Sequence, residues 1–133
     1  VDQRMDGLRA LAALVAQHQR RLAGEGRGNH PRHAVFALTV AAVRLQAELV
    51  EGDIAAQARR AFDNLREICE AAAGSLDDMP RVGLYLTDLS QFAAVNGVMA
   101  EYFSEPYPAR STIEVSALPK AAAFEVDAVM VLG

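Results

Sequence analysis

Apolar positions recur along this chain at two different intervals, and the changes of interval mark out its elements. Between Asp2 and Leu22, the residues Leu8, Leu11, Leu14, Val15 and Leu22 fall near one face at helical spacing. Gly24, Gly26 and Gly28 interrupt that pattern. Ala34 to Val43 is a short apolar run compatible with a buried strand, although its alanines leave that open. The helical period is stronger from Asp53 to Ala73, where Ile54, Ala58, Ala61, Leu65, Ile68, Cys69 and Ala72 line one face. Asp53 is placed to cap the first turn, and Gly74 to close the last one in a left-handed conformation. Cys69 lies on the apolar face and reads as a small buried hydrophobe.

The interval then shortens to two. From Arg81 to Thr87, Val82, Leu84 and Leu86 point one way and Gly83, Tyr85 and Thr87 the other, as in a strand. Asp88 with Gln91 three positions on predicts a capping box for a second helix, whose buried face is Phe92, Val95, Met99, Tyr102 and Phe103. Pro106 and Pro108 end that helix in an extended loop. Arg110 to Leu118 alternates again, with Ser111, Ile113, Val115 and Ala117 on one side and Arg110, Thr112, Glu114 and Ser116 on the other. Leu118-Pro119-Lys120 turns the chain into a last strand, Phe124 to Leu132. One face of that strand is apolar throughout, and Val129 and Val131 make part of the other face apolar too. A strand of this kind is normally covered on both sides, yet two helices cover only one face of a small sheet. The second face therefore calls for the N-terminal segment or for another subunit.

Length and composition narrow the classes of function. A chain of 133 residues is one domain by size and buries enough surface to need no disulfide or metal staple. Its apolar runs are broken by charge well before a membrane-spanning length of about 18 residues. Asp2, Arg4, Asp6 and Arg9 stand where a signal peptide would be apolar. A lone cysteine permits no intrachain disulfide, which suits a reducing compartment, so a cytoplasmic protein is expected. Seven Arg against four Asp/Glu leave residues 1–50 at +3, while residues 51–133 stand at −7. The basic residues are scattered, with no aromatics between them, so nucleic-acid binding is not expected. His30-Pro31-Arg32-His33 has the wrong spacing for a helical metal-ligand pair, and Pro31 disfavours helix there. No metal site is expected.

Six groups of residues, in order from Glu51 onward, resemble the Rid (YjgF-like) family of reactive-intermediate deaminases. They begin with Gly52-Asp53-Ile54-Ala55-Ala56-Gln57-Ala58-Arg59, then Tyr85-Leu86-Thr87-Asp88 and Phe92-Ala93-Ala94-Val95-Asn96. The most specific is Tyr107-Pro108-Ala109-Arg110-Ser111-Thr112-Ile113-Glu114-Val115. Leu118-Pro119-Lys120 and Phe124-Glu125-Val126-Asp127-Ala128 complete the series. Residues 1–45 depart from the pattern: they lack the family's Gly-Pro-Tyr-Ser-Gln-like segment and its Ser-Gly-Gln strand. Val35 to Val40 sits at the distance where that strand belongs.

The resemblance implies an α/β (α+β) fold of Rid/chorismate-mutase-like type, with a single mixed β-sheet and two long helices on one face. It implies a homotrimer with sites in clefts between subunits, and hydrolysis of 2-imino or enamine acids to 2-keto acids and ammonia. The chemistry asks for an anchor for a carboxylate and a carboxylate to position water. Arg110 suits the first through two parallel hydrogen bonds, and Glu125 the second. An iminium carbon is already electrophilic, so no cofactor is expected. The family likeness assigns the same roles to Arg110 and Glu125, and makes Asn96 and Thr112 substrate-lining positions. A hairpin between the strands flanking Leu118-Pro119-Lys120 would place Glu125 near Glu114, on the face carrying Arg110. Read without the family, Arg110 and Glu114 could be an ion pair on a sheet face, Glu125 a solvated strand residue, and Asn96 an interruption of a helix face. The missing N-terminal motifs leave a second function open, a catalytically silent trimer that binds small carboxylates in a regulatory or chaperone-like role.

Overall fold

A computed structural model of the chain describes residues 34–41, as backbone, and residues 51–132. The helix expected over Asp2–Leu22 and the three histidines lie outside the described residues. The apolar run at Ala34 is a strand, β1 (Ala34–Ala41). It is followed by α1 (Ile54–Ala71), β2 (Arg81–Leu86), α2 (Phe92–Tyr102), β3 (Ala109–Glu114) and β4 (Phe124–Leu132). Among the described residues no helix is long and apolar enough to cross a membrane.

The four strands form one mixed sheet in the order β1-β4-β2-β3. β2 and β3 are parallel, because α2 carries the chain back along the sheet between them. The other two pairings are antiparallel, with β1 running from Ala34 opposite Leu132 to Ala41 opposite Glu125. The hairpin that would have joined β3 to β4 does not form: β2 lies between them. β3 is also shorter than its alternating pattern, ending at Glu114 rather than Leu118, because β2 offers it no partner beyond Leu86, whose O takes the last ladder bond from Val115 N.

Both helices pack on one face of the sheet. Val82, Leu84 and Leu86 of β2 and Phe124, Val126, Ala128 and Met130 of β4 are buried beneath them, in the alternation read from the sequence. α1 contributes Ala58, Ala61, Leu65 and Cys69, and also Phe62, a ring absent from the predicted stripe. Phe62 is fully buried and joins the two helices to the sheet. Its ring centroid lies 5.4 Å from Tyr102, 5.9 Å from Phe103 and 5.6 Å from Phe124. Burying a side chain of that size contributes roughly 1.5–3 kcal/mol, and the tilted and edge-on ring pairs add to it. Burial pushes the Cys69 thiol up to about 12, which keeps it protonated and inert.

Polar residues fix the ends of these elements. Asp53 caps α1 by accepting from Ala56 N at 2.9 Å. Gln57, nearly buried one turn on, accepts from Ala123 N at 2.8 Å and so ties α1 to the entry of β4. Asp88 caps a short 3-10 turn, Leu89–Gln91, through Ser90 N at 3.0 Å, instead of forming a reciprocal box with Gln91. α2 starts only after that turn. At the end of α1 the left-handed residue is Ala73 (φ 62), one position before the glycine expected there. Ala73 N donates to Glu70 O and Gly74 N to Cys69 O, the paired bonds of a Schellman end. Gly74 serves a different need: a Cβ there would lie 2.7 Å from Leu132 Cδ2 and 2.8 Å from Met130 Sδ.

Two adjacent small residues thus have separable roles. Ala73→Gly removes the steric cost of a left-handed alanine and should raise unfolding stability by about 1 kcal/mol. Gly74→Ala drives a methyl into the end of β4 and should lower it by about 1 kcal/mol or more. Urea unfolding of the two variants checks the pair. Equal effects of the same sign would show that the conformation and spacing assigned to this turn are wrong.

Candidate active site

β2 and β3 run side by side with Val82 opposite Arg110, Leu84 opposite Thr112 and Leu86 opposite Glu114. Residues paired across a ladder share a face. Arg110, Thr112 and Glu114 therefore stand on the helix-bearing side, at the edge of the sheet where α2 only partly covers it. Three contacts from α2 hold the Arg110 guanidinium. Its Nη1 donates a short hydrogen bond to Asn96 Oδ1, Met99 Sδ lies 3.7 Å from the same nitrogen, and the guanidinium carbon sits 5.0 Å above the centroid of Phe92. These residues are spaced along one face of the helix at intervals of four and three, so α2 presents all of them together. The ion pair between Arg110 and Glu114 does not form; Glu114 Oε1 instead accepts from Leu89 N at 2.9 Å.

Arg110 also lines an open pocket of about 460 Å³, together with Asn96, Met99, Ala100, Tyr107 and Pro108. Met99, Ala100, Tyr107 and Pro108 supply an apolar wall, and Asn96 and Arg110 a polar end. Tyr107 is 59% exposed, an unusual position for a large aromatic side chain unless something packs on it. The sequence reading used Tyr107 only as part of a motif and Met99 only as a core position. The sign that could have pointed to them is the aromatic held between Pro106 and Pro108, immediately before the strand that carries Arg110. Thr112 lies two residues along β3 from Arg110 on the same face and is half-buried.

Glu125 is elsewhere. It pairs with Tyr85, which in turn pairs with Ile113, so it projects from the face opposite to Arg110. The shared face that a β3–β4 hairpin would have given them is therefore ruled out, because it required β3 and β4 to be neighbours. Glu125 is half-buried beside a polar group that the sequence reading missed. There Tyr85 Oη donates to Asp127 Oδ2 at 3.0 Å, and Arg81 Nη1 lies 3.8 Å from Asp127 Oδ1. The hydrogen bond to Asp127, and then burial, hold the Tyr85 hydroxyl above the ordinary phenol range. Gly83 makes room for this arrangement, since a Cβ there would lie 2.1 Å from Asp127 Oδ1. Strand alternation placed Gly83 and Tyr85 together on this face, but only the β2–β4 register opposes Gly83 to Asp127.

Among the described residues no group of His, Cys, Asp and Glu is placed to hold a metal ion. A constellation of a fixed guanidinium, an amide and an apolar wall can bind a small carboxylate and seat its side chain.

Known proteins resemble this chain in sequence and in fold. The family model described as Endoribonuclease L-PSP matches residues 29–132, reaching back through β1 into the part that departs from the motif pattern. A RutC family protein of Pyrococcus horikoshii is 48% identical over 82 residues, which cover 62% of this chain and 65% of that protein. The 2-iminobutanoate/2-iminopropanoate deaminase of Escherichia coli is 40% identical over 85 residues, covering 62% of this chain and 66% of its own length. The chain thus spans about two thirds of the length of the curated relatives it matches. Among solved structures, RidA from an Antarctic Psychrobacter is 37% identical with a TM-score of 0.70, covering 79% of this chain and 89% of that one. Escherichia coli TdcF with bound serine is 29% identical with a TM-score of 0.69, covering 81% and 91%.

The outer-face cluster has a direct test. Gly83→Ala displaces Asp127 and severs its bond from Tyr85. The Tyr85 hydroxyl should then titrate lower, towards the ordinary phenol value, because the bond that favours its protonated form is lost. Ultraviolet titration of the variant against the parent follows this. An unchanged Tyr85 titration would mean that Asp127 is not what raises it.

Proposed function

The chain belongs to the Rid family, whose model is the one described as Endoribonuclease L-PSP, and from that premise we propose that it hydrolyses reactive 2-imino and enamine acids, of the 2-iminobutanoate and 2-iminopropanoate type, to 2-keto acids and ammonia. The observation that carries the reading is the Arg110 guanidinium, held over the Phe92 ring and hydrogen-bonded at the polar end of an open pocket. Relatives named as deaminases of these imines and a related structure holding an amino acid support it.

In this reading the substrate carboxylate docks on Arg110, and its side chain lies along the apolar wall. Thr112 and Asn96 line the polar end, with Asn96 acting mainly by holding Arg110. Water held by Glu125 attacks the carbon of the protonated C=N bond as Glu125 takes one of its protons. Glu125 then returns that proton to the carbinolamine nitrogen, the C–N bond breaks as the hydroxyl proton passes back to Glu125 and on to solvent, and ammonia leaves as the 2-keto acid forms. Most of the rate gain comes from holding carboxylate, carbon and water in line.

Arg110 and Glu125 of one chain lie on opposite faces of the sheet, so a site using both takes them from two chains. We therefore place the reaction in a cyclic homotrimer of about 43 kDa, three times 14.3 kDa, with each cleft built by two neighbours. The outer face supports this: Ile113 is 49% exposed there, and Val129 and Val131 lie on the same side. Among the described residues neither helix covers it.

Arg110→Lys should lower kcat/KM roughly 100-fold or more, because an ammonium cannot make the paired bonds. Glu125→Gln should lower kcat by about 100-fold or more while carboxylate binding survives. Both are read by coupling an amino-acid oxidase to the protein and following loss of the imine. If the parent protein gives no acceleration over buffer but binds 2-oxobutanoate, the silent carboxylate-binding trimer is the function instead.

Complementation tests the shared site. When Arg110→Ala and Glu125→Gln chains are refolded together in equal amounts, every mixed trimer contains one cleft with both native residues. About a quarter of parental activity should return, from two preparations that are each inactive. No recovery, with mixed trimers shown to form, would mean that the two residues do not meet across an interface.

A further inference from the structure

We infer that Phe92 is a positioning residue for Arg110: its ring face holds the guanidinium in the orientation that takes a substrate carboxylate. The inference rests on Arg110 being the carboxylate anchor proposed above, and it assigns a role to a side chain that would not itself touch the substrate's reacting atoms.

Arg110 stands on an edge strand and is exposed. A free arginine there would sample many rotamers and lose that freedom on binding, which weakens a small ligand considerably. The structure opposes this from one side. Asn96 takes Nη1 as a donor, and Met99 sulfur lies against the same nitrogen. Neither contact defines the plane of the guanidinium, because a single hydrogen bond leaves rotation about its own axis. The Phe92 ring adds a separate contact on the guanidinium itself, away from the hydrogen-bond axis. The guanidinium carbon lies 5.0 Å from the Phe92 centroid, within the range where a cation is attracted to the electron-rich face.

The division of labour leaves a free edge. Among the described residues the Arg110 Nε and Nη2 groups have no hydrogen-bond partner. A carboxylate can take that edge with two parallel bonds while Nη1 stays on Asn96. Phe92 is itself well anchored. It is the first residue of α2, directly after the 3-10 turn that Asp88 caps, and its half-buried ring packs against the core. A rigid ring at a helix start is a better platform than a flexible side chain would be. The attraction of a ring for a partly exposed guanidinium corresponds to about two- to five-fold in affinity. That sets the size of effect to expect.

The test uses Phe92→Leu, which keeps apolar packing but removes the ring face, and Phe92→Tyr, which keeps both. Thermal unfolding of each confirms that the fold survives. The first readout needs no ligand. In the parent protein the Arg110 Nε–H resonance, assigned by its loss in Arg110→Ala, should be shifted upfield by the ring beneath it. It should return towards the free-arginine position in Phe92→Leu and keep its shift in Phe92→Tyr. The second readout is calorimetric binding of 2-oxobutanoate. Phe92→Leu should bind about two- to five-fold more weakly, raising KM for imine hydrolysis in proportion with kcat little changed, and Phe92→Tyr should match the parent. A parent protein that shows the upfield Nε–H but binds no 2-oxobutanoate would overturn Arg110 as the anchor, and this role with it. A parent that binds 2-oxobutanoate while Phe92→Leu binds it equally well, or with no upfield shift, would overturn the role of Phe92 alone.

Discussion

Strand alternation against a sheet with helices on one side is the constraint from which the rest of this structure follows. Successive side chains must point to opposite faces. Once Val82, Leu84 and Leu86 are buried beneath α1 and α2, their ladder partners on β3 have no choice of side. Arg110, Thr112 and Glu114 come up beside the helices, and Ser111 and Ile113 go to the far face. The same rule on β4 buries Phe124, Val126, Ala128 and Met130 and sends Glu125 and Asp127 outward. The separation of Arg110 from Glu125 within one chain is thus a consequence of how the core is built, and an imine-hydrolysing site that uses both has to be shared between chains.

The helices do more than cover the sheet. α1 supplies the Phe62 ring that three other aromatic residues surround, so both helices and β4 meet at one point in the core. α2 is held there by Tyr102 and Phe103 at its C-terminal end, and its N-terminal end carries Phe92 and Asn96 to Arg110. A second link ties Tyr102 Oη to Asp63 Oδ1 at 2.7 Å. The arginine is therefore oriented by a helix that is itself located by the aromatic core. This is how an exposed side chain on an edge strand comes to have a defined direction.

Several residues that carry the family likeness turn out to hold the backbone in place. Asp53 and Asp88 cap turns, Gln57 binds the backbone at Ala123, and Tyr85 bonds Asp127 across the outer face. Arg110, Asn96 and Tyr107 border the pocket. β1 shows the complementary case. Its residues lack the family's Ser-Gly-Gln, yet eight residues pair with β4 in an unbroken register. A ladder is made by backbone groups, so a strand can keep its place while its side chains diverge.

The local order of this chain was legible in its sequence. Alternation marked β2 and β4 and the residues they bury, helical periodicity marked α1 and α2, and Asp53 marked a cap, because each of these depends on neighbours within a few residues. The ordered motifs that carry the resemblance also named Arg110 and Asn96, two residues that meet at the pocket. What the sequence could not show were relations between distant segments. The placement of β2 between β3 and β4 is a choice of long-range pairing, and it reversed the expected relation of Arg110 to Glu125. Phe62 sat beside the predicted stripe, and only the second helix explains why it is buried. The left-handed residue at the end of α1 was Ala73 rather than Gly74, and the side-chain ends that approach Gly74, those of Leu132 and Met130, come from a strand far along the chain. Sequence determined the elements and their apolar faces through local geometry; tertiary structure decided which faces meet, because that depends on packing among residues far apart along the chain.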